Sequence, residues 1–388
     1  MKQINDSQFG KKLRGVNLGG WLVLEKWMTP SLFDGLQATD ETSYCVELGA
    51  SAEQSLKAHW ENFITAGDFA WLAKTGINAV RIPLGHWIFG PDYPYHRSYG
   101  ASSHPFVEGG IKILDRAFDW AEEYGLHIVL DLHAAPGCQN GFDNGGILNV
   151  CEWHTQEDYI DYSLYILERL AERYQSRSAL HAIEVLNEPR WDISTALLKK
   201  YTSDAYHRIR QYCQAKDVAV VFHDGFRSFR EYNGFLMEPE YSNVVFDIHR
   251  YQCFGRAEID ADIYSHIRGA VVDWKNEADD IIRDLGHATF VGEWSLGLDV
   301  KVVSLWAKGP FNHALQDMDE FQMAVANRGY AAAQIITFEK YLGWFFWSYK
   351  TETTPAWCFR ECVNRGWLPD KFDNGDVDLK NFRKSAFI

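Results

Sequence analysis

The chain has 388 residues, of which 46% are apolar, and a formal net charge of −15 at pH 7. That length suits one large domain or two ordinary ones, and the acidic balance argues against nucleic acid and anionic membranes as partners. Aromatic residues make up 15% of the chain, with 15 Trp, more than a plain scaffold needs, and rings of this kind stack well on neutral ligands.

Short β-rich runs alternate with amphipathic stretches along the sequence. The first strand is expected over Leu13–Leu18, carrying Asn17, and is followed by a long loop over Gly19–Ser55. The second, Ala79–Leu84, carries Arg81 and leads into the loop Gly85–Glu108 and a helix over Ile111–Tyr124. The third, His127–Leu132, runs into His133, the loop Ala134–Gln156 and a helix over Tyr159–Tyr174. The fourth, Ala182–Asn187, ends at Glu188-Pro189 before a helix over Ala196–Cys213. The fifth is Val218–Phe222, with His223 after it. The sixth is Val244–His249, with Tyr251 just beyond, followed by a helical stretch over Ile259–Arg283. The seventh, Ala288–Gly292, meets Glu293 and the loop Ser295–Gln316, then a helix over Phe321–Tyr341. The eighth is Trp344–Trp347, followed by Ser348–Lys380. Eight strands alternating with helices predict an α/β fold, a (β/α)₈ TIM barrel, with long loops on its catalytic face. No repeat, low-complexity tract or Pro/Ser-rich linker divides the sequence, so one catalytic domain over residues 1–388 is expected.

In such a barrel the chemistry stands at the C-terminal strand ends. Read in order, those positions hold Asn17, Arg81, His133, Asn187 with Glu188, His223, His249 with Tyr251, Glu293 and Trp347. No lysine is among them, against a Schiff-base enzyme, and the first strand has no His-x-His. Neither Cys-x-x-Cys nor His-Glu-x-x-His occurs, so no metal and no cofactor are expected. What remains is a pair of carboxylates, Glu188 and Glu293, at the ends of two apolar runs, which is what glycoside hydrolysis requires. Glu293 is expected to stay ionised, with Arg81 and Tyr251 as donors, and Glu188 to hold a proton raised by the neighbouring charge. Asn187 offers an amide to a sugar 2-hydroxyl, and Trp347 a stacking platform. Glu184 lies deeper and is not expected to act as a catalyst; His223 reads as a structural histidine.

No apolar run reaches the roughly 18 residues of a membrane span, and the opening Met1-Lys2-Gln3-Ile4-Asn5-Asp6 shows no signal-like apolar core. The expectation is a cytoplasmic protein without a membrane partner, or a secreted one if a signal sequence has been trimmed. Seven cysteines are an odd number, so at least one is unpaired or bridges chains; oligomeric state is not legible.

Arg81-Ile82-Pro83, Asn187-Glu188-Pro189, His249-x-Tyr251, Gly292-Glu293 and Trp347 together resemble glycoside hydrolase family 5, retaining enzymes of the (β/α)₈ type. Longer strings resemble its fungal-type exo-β-1,3-glucanase branch: Gly15 through Glu25, Met28 through Phe33, and Asp131 through Asn144. The likeness runs from about residue 13 to beyond 350, and Cys138 stands where that branch usually has Ser. The resemblance implies Glu188 as acid/base and Glu293 as nucleophile. It also implies that Glu25, Asp143 and Asn144 grip a terminal glucose, and that Asn187, His133, His249 and Trp347 line the same pocket. Phe142 and Phe254 resemble an aromatic pair that clamps the next sugar. The expected activity is release of glucose from non-reducing ends of β-1,3-glucans or oligosaccharides. The alternatives are a β-glucosidase acting on a cello-oligosaccharide, diglycoside or glycolipid, and, more remotely, a carbohydrate-binding pseudoenzyme.

Overall fold

The structure, a computed structural model, describes residues 12–90, 105–259, 261–298, 318–372 and 380–383. Eight parallel strands close into a barrel in chain order: β1 (Leu13–Asn17), β2 (Ala79–Gly85), β3 (His127–Ala134), β4 (Leu180–Glu184), β5 (Ala219–His223), β6 (Val244–Arg250), β7 (Ala288–Trp294) and β8 (Gly343–Phe346). Closure is direct, β8 pairing with β1 from Leu13↔Gly343 to Val16↔Phe346.

Alternation along each strand builds two surfaces. Outward residues such as Val16, Val80, Ile82, Leu130, Ile183, Val220, Phe246 and Val291 join the cluster that packs on the surrounding helices. Inward residues Leu13, Ala79, Val129, Ala182, Ala219, Val245, Phe290 and Phe345 form a separate apolar plug. Two residues further along the same inward rows the side chains turn polar: Arg81, Asp131, Glu184 and Asp247, all fully buried. The apolar floor leaves the polar groups only the C-terminal end to occupy, and that is where the site lies.

The helices Gly110–Tyr124, Glu157–Tyr174, Thr195–Arg210 and Glu320–Phe338 match the expected ones within a few residues. Two expectations are corrected. The segment Gly19–Ser55 is not a plain loop but holds the helix Glu41–Leu48 and the start of Ser51–Asn62, and a further helix, Ala66–Lys74, precedes β2. The first opens on a capping box in which Asp40 accepts from Ser43 N–H and the Ser43 hydroxyl accepts from Asp40 N–H. The helical stretch before β7 is broken into Arg256–Ile259, Ile263–Arg268, a π-turn at Gly269–Asp273 and Trp274–Asp284. Parts of the expected loops, 91–104, 299–316 and 373–379, lie outside the described residues. Among the described residues no helix is long and apolar enough to cross a membrane.

Two local devices position the site. The loops after β1 and β3 are tied together: Leu148 N–H donates to Asp40 Oδ2 at 3.1 Å and Thr42 N–H to Gly146 O at 3.2 Å. The second is a bulge on β7. Against β6 the pairs run Ile248↔Val291 and then His249↔Glu293; against β8 they run Val291↔Trp344 and then Trp294↔Phe346. One extra residue therefore sits on β7 between Val291 and Trp294. Strict alternation after inward Phe290 and outward Val291 would turn Glu293 outward; the extra residue, Gly292, returns it to the barrel mouth.

Candidate active site

Arg81 stands at the centre. Its guanidinium donates Nε–H to Glu184 at 2.7 Å, Nη1–H to Asn17 Oδ1 at 2.9 Å and to Glu293 at 3.1 Å, and Nη2–H to Asn187 Oδ1 at 2.8 Å. Nη2 also lies 3.1 Å from Asp131. Glu293 is thus one of three carboxylates around this cation, not its sole partner. Glu184 is spent on Arg81, as its depth suggested.

Glu293 receives a second hydrogen bond at its other oxygen, from the Tyr251 hydroxyl at 2.8 Å. Glu188 is reached differently from what the sequence suggested. β4 ends at Glu184, and Val185 and Leu186 both pack in the outer core. A turn then brings Glu188 into the site with a left-handed backbone, φ 42°. His249 Nδ1 donates to Glu188 Oε1 at 2.7 Å and lies 3.4 Å from Glu293 Oε2. One nitrogen therefore joins both carboxylates, and their facing oxygens can be no farther apart than those two distances end to end.

Proton affinities follow from burial and these contacts. Burial pushes Glu293 up to about 7, with His249 opposing and the Glu188 charge adding. For Glu188 burial also pushes upward, but the hydrogen bond and charge of His249 outweigh it and hold the group below its ordinary value. His249 resists burial because Glu293, Asp247 and Glu188 surround it, and is held well above its ordinary value. These directions run opposite to the sequence expectation of a protonated Glu188 beside an ionised Glu293, because the His249 imidazole stands between the two carboxyls.

His133 is held by Asp131, which accepts from Nδ1–H at 2.6 Å. Burial and then Arg81 keep His133 neutral, so Nε2, buried and unpartnered, is left as an acceptor. Trp347 stacks on that imidazole at 5.4 Å with planes 6° apart. Asn187 Nδ2 is likewise buried without a partner. Glu25 accepts from Trp27 Nε1–H at 2.8 Å. Burial and then the Asp143 charge raise Glu25 well above its ordinary value, and burial lifts Asp143 to about 7. Asn144 accepts from Asn140 Nδ2–H at 3.2 Å, beside half-buried Phe142 and Asp143. Phe254 is 52% exposed, its ring perpendicular to Tyr251 at 5.5 Å.

Further residues surround the pair. His223, which the sequence places in the strand-end ring and reads as structural, is fully buried with its ring edge-on to His249, 4.3 Å away with planes 71° apart. Trp357 packs on Trp27 at 5.6 Å and Tyr251 at 5.4 Å. Asp131 and Asp247 support the two histidines; the repeated Asp-x-His pattern, at Asp131-Leu132-His133 and Asp247-Ile248-His249, was the available signal. Glu188, His223 and His249, and likewise Glu184, Asp247 and His249, lie within 4.8 Å of one another. Glu188 and Asp247 already close hydrogen bonds to His249, and the Arg81 guanidinium reaches Glu184 and Glu293. That donor set suits proton sharing around a fixed cation better than an added ion.

A parallel barrel whose mouth opposes two carboxylates over unpaired amide and imidazole donors and acceptors is the machinery of a glycoside hydrolase. A family model described as Cellulase (glycosyl hydrolase family 5) matches residues 41–352, and the chain belongs to that family. It is 35% identical to a glucan 1,3-beta-glucosidase of Blumeria graminis over 95% of this chain and 89% of that protein. It is 37% identical to a probable glucan 1,3-beta-glucosidase A of Aspergillus fumigatus over 92% of this chain and 87% of that protein. Among solved structures, a rutinosidase from Aspergillus niger shares the fold, with a TM-score of 0.75 at 22% identity, covering 92% of this chain and 98% of that one.

Proposed function

We propose that the protein is a retaining exo-β-1,3-glucanase, with the whole chain serving as one catalytic domain. Glu293 is the nucleophile and Glu188 the acid/base. The observation that carries the reaction type is the contact of both carboxylates with His249 Nδ1, at 2.7 and 3.4 Å. A shared contact of this kind favours the shorter carboxyl separation of roughly 5–5.5 Å over the roughly 6.5–9.5 Å that seats a water between inverting carboxyls. The linkage is supported by the printed names of relatives at 35% and 37% identity.

Glu293 attacks the anomeric carbon while Glu188 delivers its proton to the departing glycosidic oxygen, giving a glucosyl ester with inverted configuration. Glu188, now a carboxylate, takes a proton from water as that water attacks the same carbon, and a second inversion releases β-glucose. Arg81 and Tyr251 fix the oxygens of Glu293. Asn187 Nδ2 meets the sugar 2-hydroxyl, where hydrogen bonds tighten in the transition state. His133 Nε2, Glu25, Asp143 and Asn144 take the remaining hydroxyls, Trp347 underlies the ring, and Phe142 and Phe254 flank the next sugar.

A panel of laminaribiose, laminaritriose, cellobiose and an aryl rutinoside, with products followed by proton NMR, tests this. The expected result is single glucose units from the β-1,3 oligomers, appearing first as the β anomer. First-formed α-glucose would overturn the mechanism, and preference for cellobiose or the rutinoside would overturn the linkage.

A further inference from the structure

Asp247 is fully buried on β6, one layer below the two glutamates. Its oxygens go to different machinery. Oδ1 accepts the N–H of Gly292 at 2.7 Å, the bulged residue immediately before Glu293. Oδ2 accepts from His249 Nε2–H at 3.3 Å, and the other nitrogen of that ring reaches Glu188 at 2.7 Å. The fit is close: a Cβ on residue 292 would stand 2.1 Å from Asp247 Oδ2. The next peptide, which leads into Glu293, is also held, Asn17 Nδ2–H donating to Gly292 O at 2.8 Å.

We propose that Asp247 is a positioning residue for both halves of the catalytic pair. Through the Gly292 peptide it fixes where Glu293 stands, and through His249 it fixes which ring nitrogen exchanges a proton with Glu188. This rests on the roles assigned to Glu188 and Glu293 above. A carboxylate at Nε2 demands Nε2–H, which leaves Nδ1 to share a single proton with Glu188. With that proton on Glu188 the group is the acid of the first step. With it on Nδ1, Glu188 is the base that receives a proton from water in the second. The charged and titratable groups facing this unit are Arg81 from β2, Asp131 and His133 from β3, Glu184 from β4, His223 and Asp224 from the end of β5, and Glu293 from β7. Removing the Asp247 charge, which burial confines to pH values above about 7, lowers the proton affinity of the His249–Glu188 unit on the alkaline limb.

Asp247→Asn separates the two functions. Its amide oxygen still accepts from Gly292, but its N–H now faces His249 Nε2 and imposes the other tautomer. The expected kcat/KM on 2,4-dinitrophenyl β-glucoside, which needs no acid, falls by less than about ten-fold, whereas laminaribiose falls by more than about 100-fold. The alkaline limb on laminaribiose moves down by about one pH unit or more. Asp247→Ala loses both ties and falls by more than about 100-fold on both substrates. An Asn variant with the wild-type substrate ratio and pH profile would overturn the proposal, as would an Ala variant that matches Asn on the activated substrate. If the Ala variant does not fold, the leaving-group split and pH profile of the Asn variant decide alone. Azide rescue of Glu188→Ala is measured beside them. Its absence would remove the assignment on which the proposal stands; rescue together with an unchanged Asn variant overturns the Asp247 role by itself.

Discussion

At the scale of single residues, Glu188 and Glu293 differ in what holds them, and that difference can be read out chemically. Glu293 accepts from Arg81 and Tyr251, two donors that orient an attacking oxygen; Glu188 bonds to a histidine that can hold or return its proton. Glu293→Ala is therefore expected to lose turnover on every substrate, since no covalent intermediate forms. Glu188→Ala should retain the first step on substrates with good leaving groups, and added azide should accelerate turnover and yield a β-glucosyl azide. Identical responses of the two variants to leaving group and azide would reverse or abolish the assignment. Phe254 belongs to a weaker class of contact. With its ring 52% exposed, its removal costs stacking of about 1 kcal/mol, roughly a five-fold rise in KM on laminaritriose and little change on an aryl glucoside. Equal effects on both substrates would place the ring away from the second sugar.

At the scale of elements, the β7 bulge is the feature on which the site depends most. Gly292→Ala sets a methyl 2.1 Å from Asp247 Oδ2, between two strands that cannot separate without opening the barrel. The expected outcome is a stability loss of about 1–3 kcal/mol together with a fall in kcat of about 100-fold, since a displacement near 1 Å at a reacting group costs that much. Thermal unfolding and aryl-glucosidase kinetics on one preparation check both; a stable variant with normal kcat would show that the bulge does not place Glu293. The bulge also marks the limit of what the sequence discloses. The eight strands were legible because Ala79–Leu84, Val244–His249 and their like are β-rich runs between loop signals, and the strand-end ring followed from the barrel. The extra residue at Gly292 depends on register against β6 and β8, and the early end of β4 on how Val185 and Leu186 pack outward. Both are long-range outcomes with no local signature. Glu41–Leu48 escaped notice because its buried face contains Glu41 itself, which interrupts the apolar stripe that identifies a helix.

At the scale of the whole molecule, the site's demand for buried charge shapes stability against pH. Burial lifts Glu41 to about 8, Asp131, Asp143, Asp247 and Glu293 to about 7, and Asp224 to about 6. Each binds its proton more tightly folded than unfolded. Its contribution is therefore complete below the ordinary carboxyl range near pH 4 and is lost as pH rises through these values. Buried histidines act in the opposite sense. Burial lowers His59 and His181 to about 4, and His133 and His223 lie well below their ordinary value. What they contribute is complete above about 6.5 and is lost as pH falls toward 4. The two sets leave a maximum between them, so the unfolding temperature at constant ionic strength should peak near pH 5–6 and fall on both sides. The alkaline fall has an internal control. Glu293→Gln deletes a carboxyl that must shed its proton in a buried site and keeps an acceptor for Arg81. That variant should unfold at a higher temperature than the wild type at pH 8 and at nearly the same temperature at pH 4.5, while losing its activity. A wild-type maximum above pH 7, or a Glu293→Gln variant no more stable at pH 8, would mean that the barrel mouth holds its carboxylates ionised without strain.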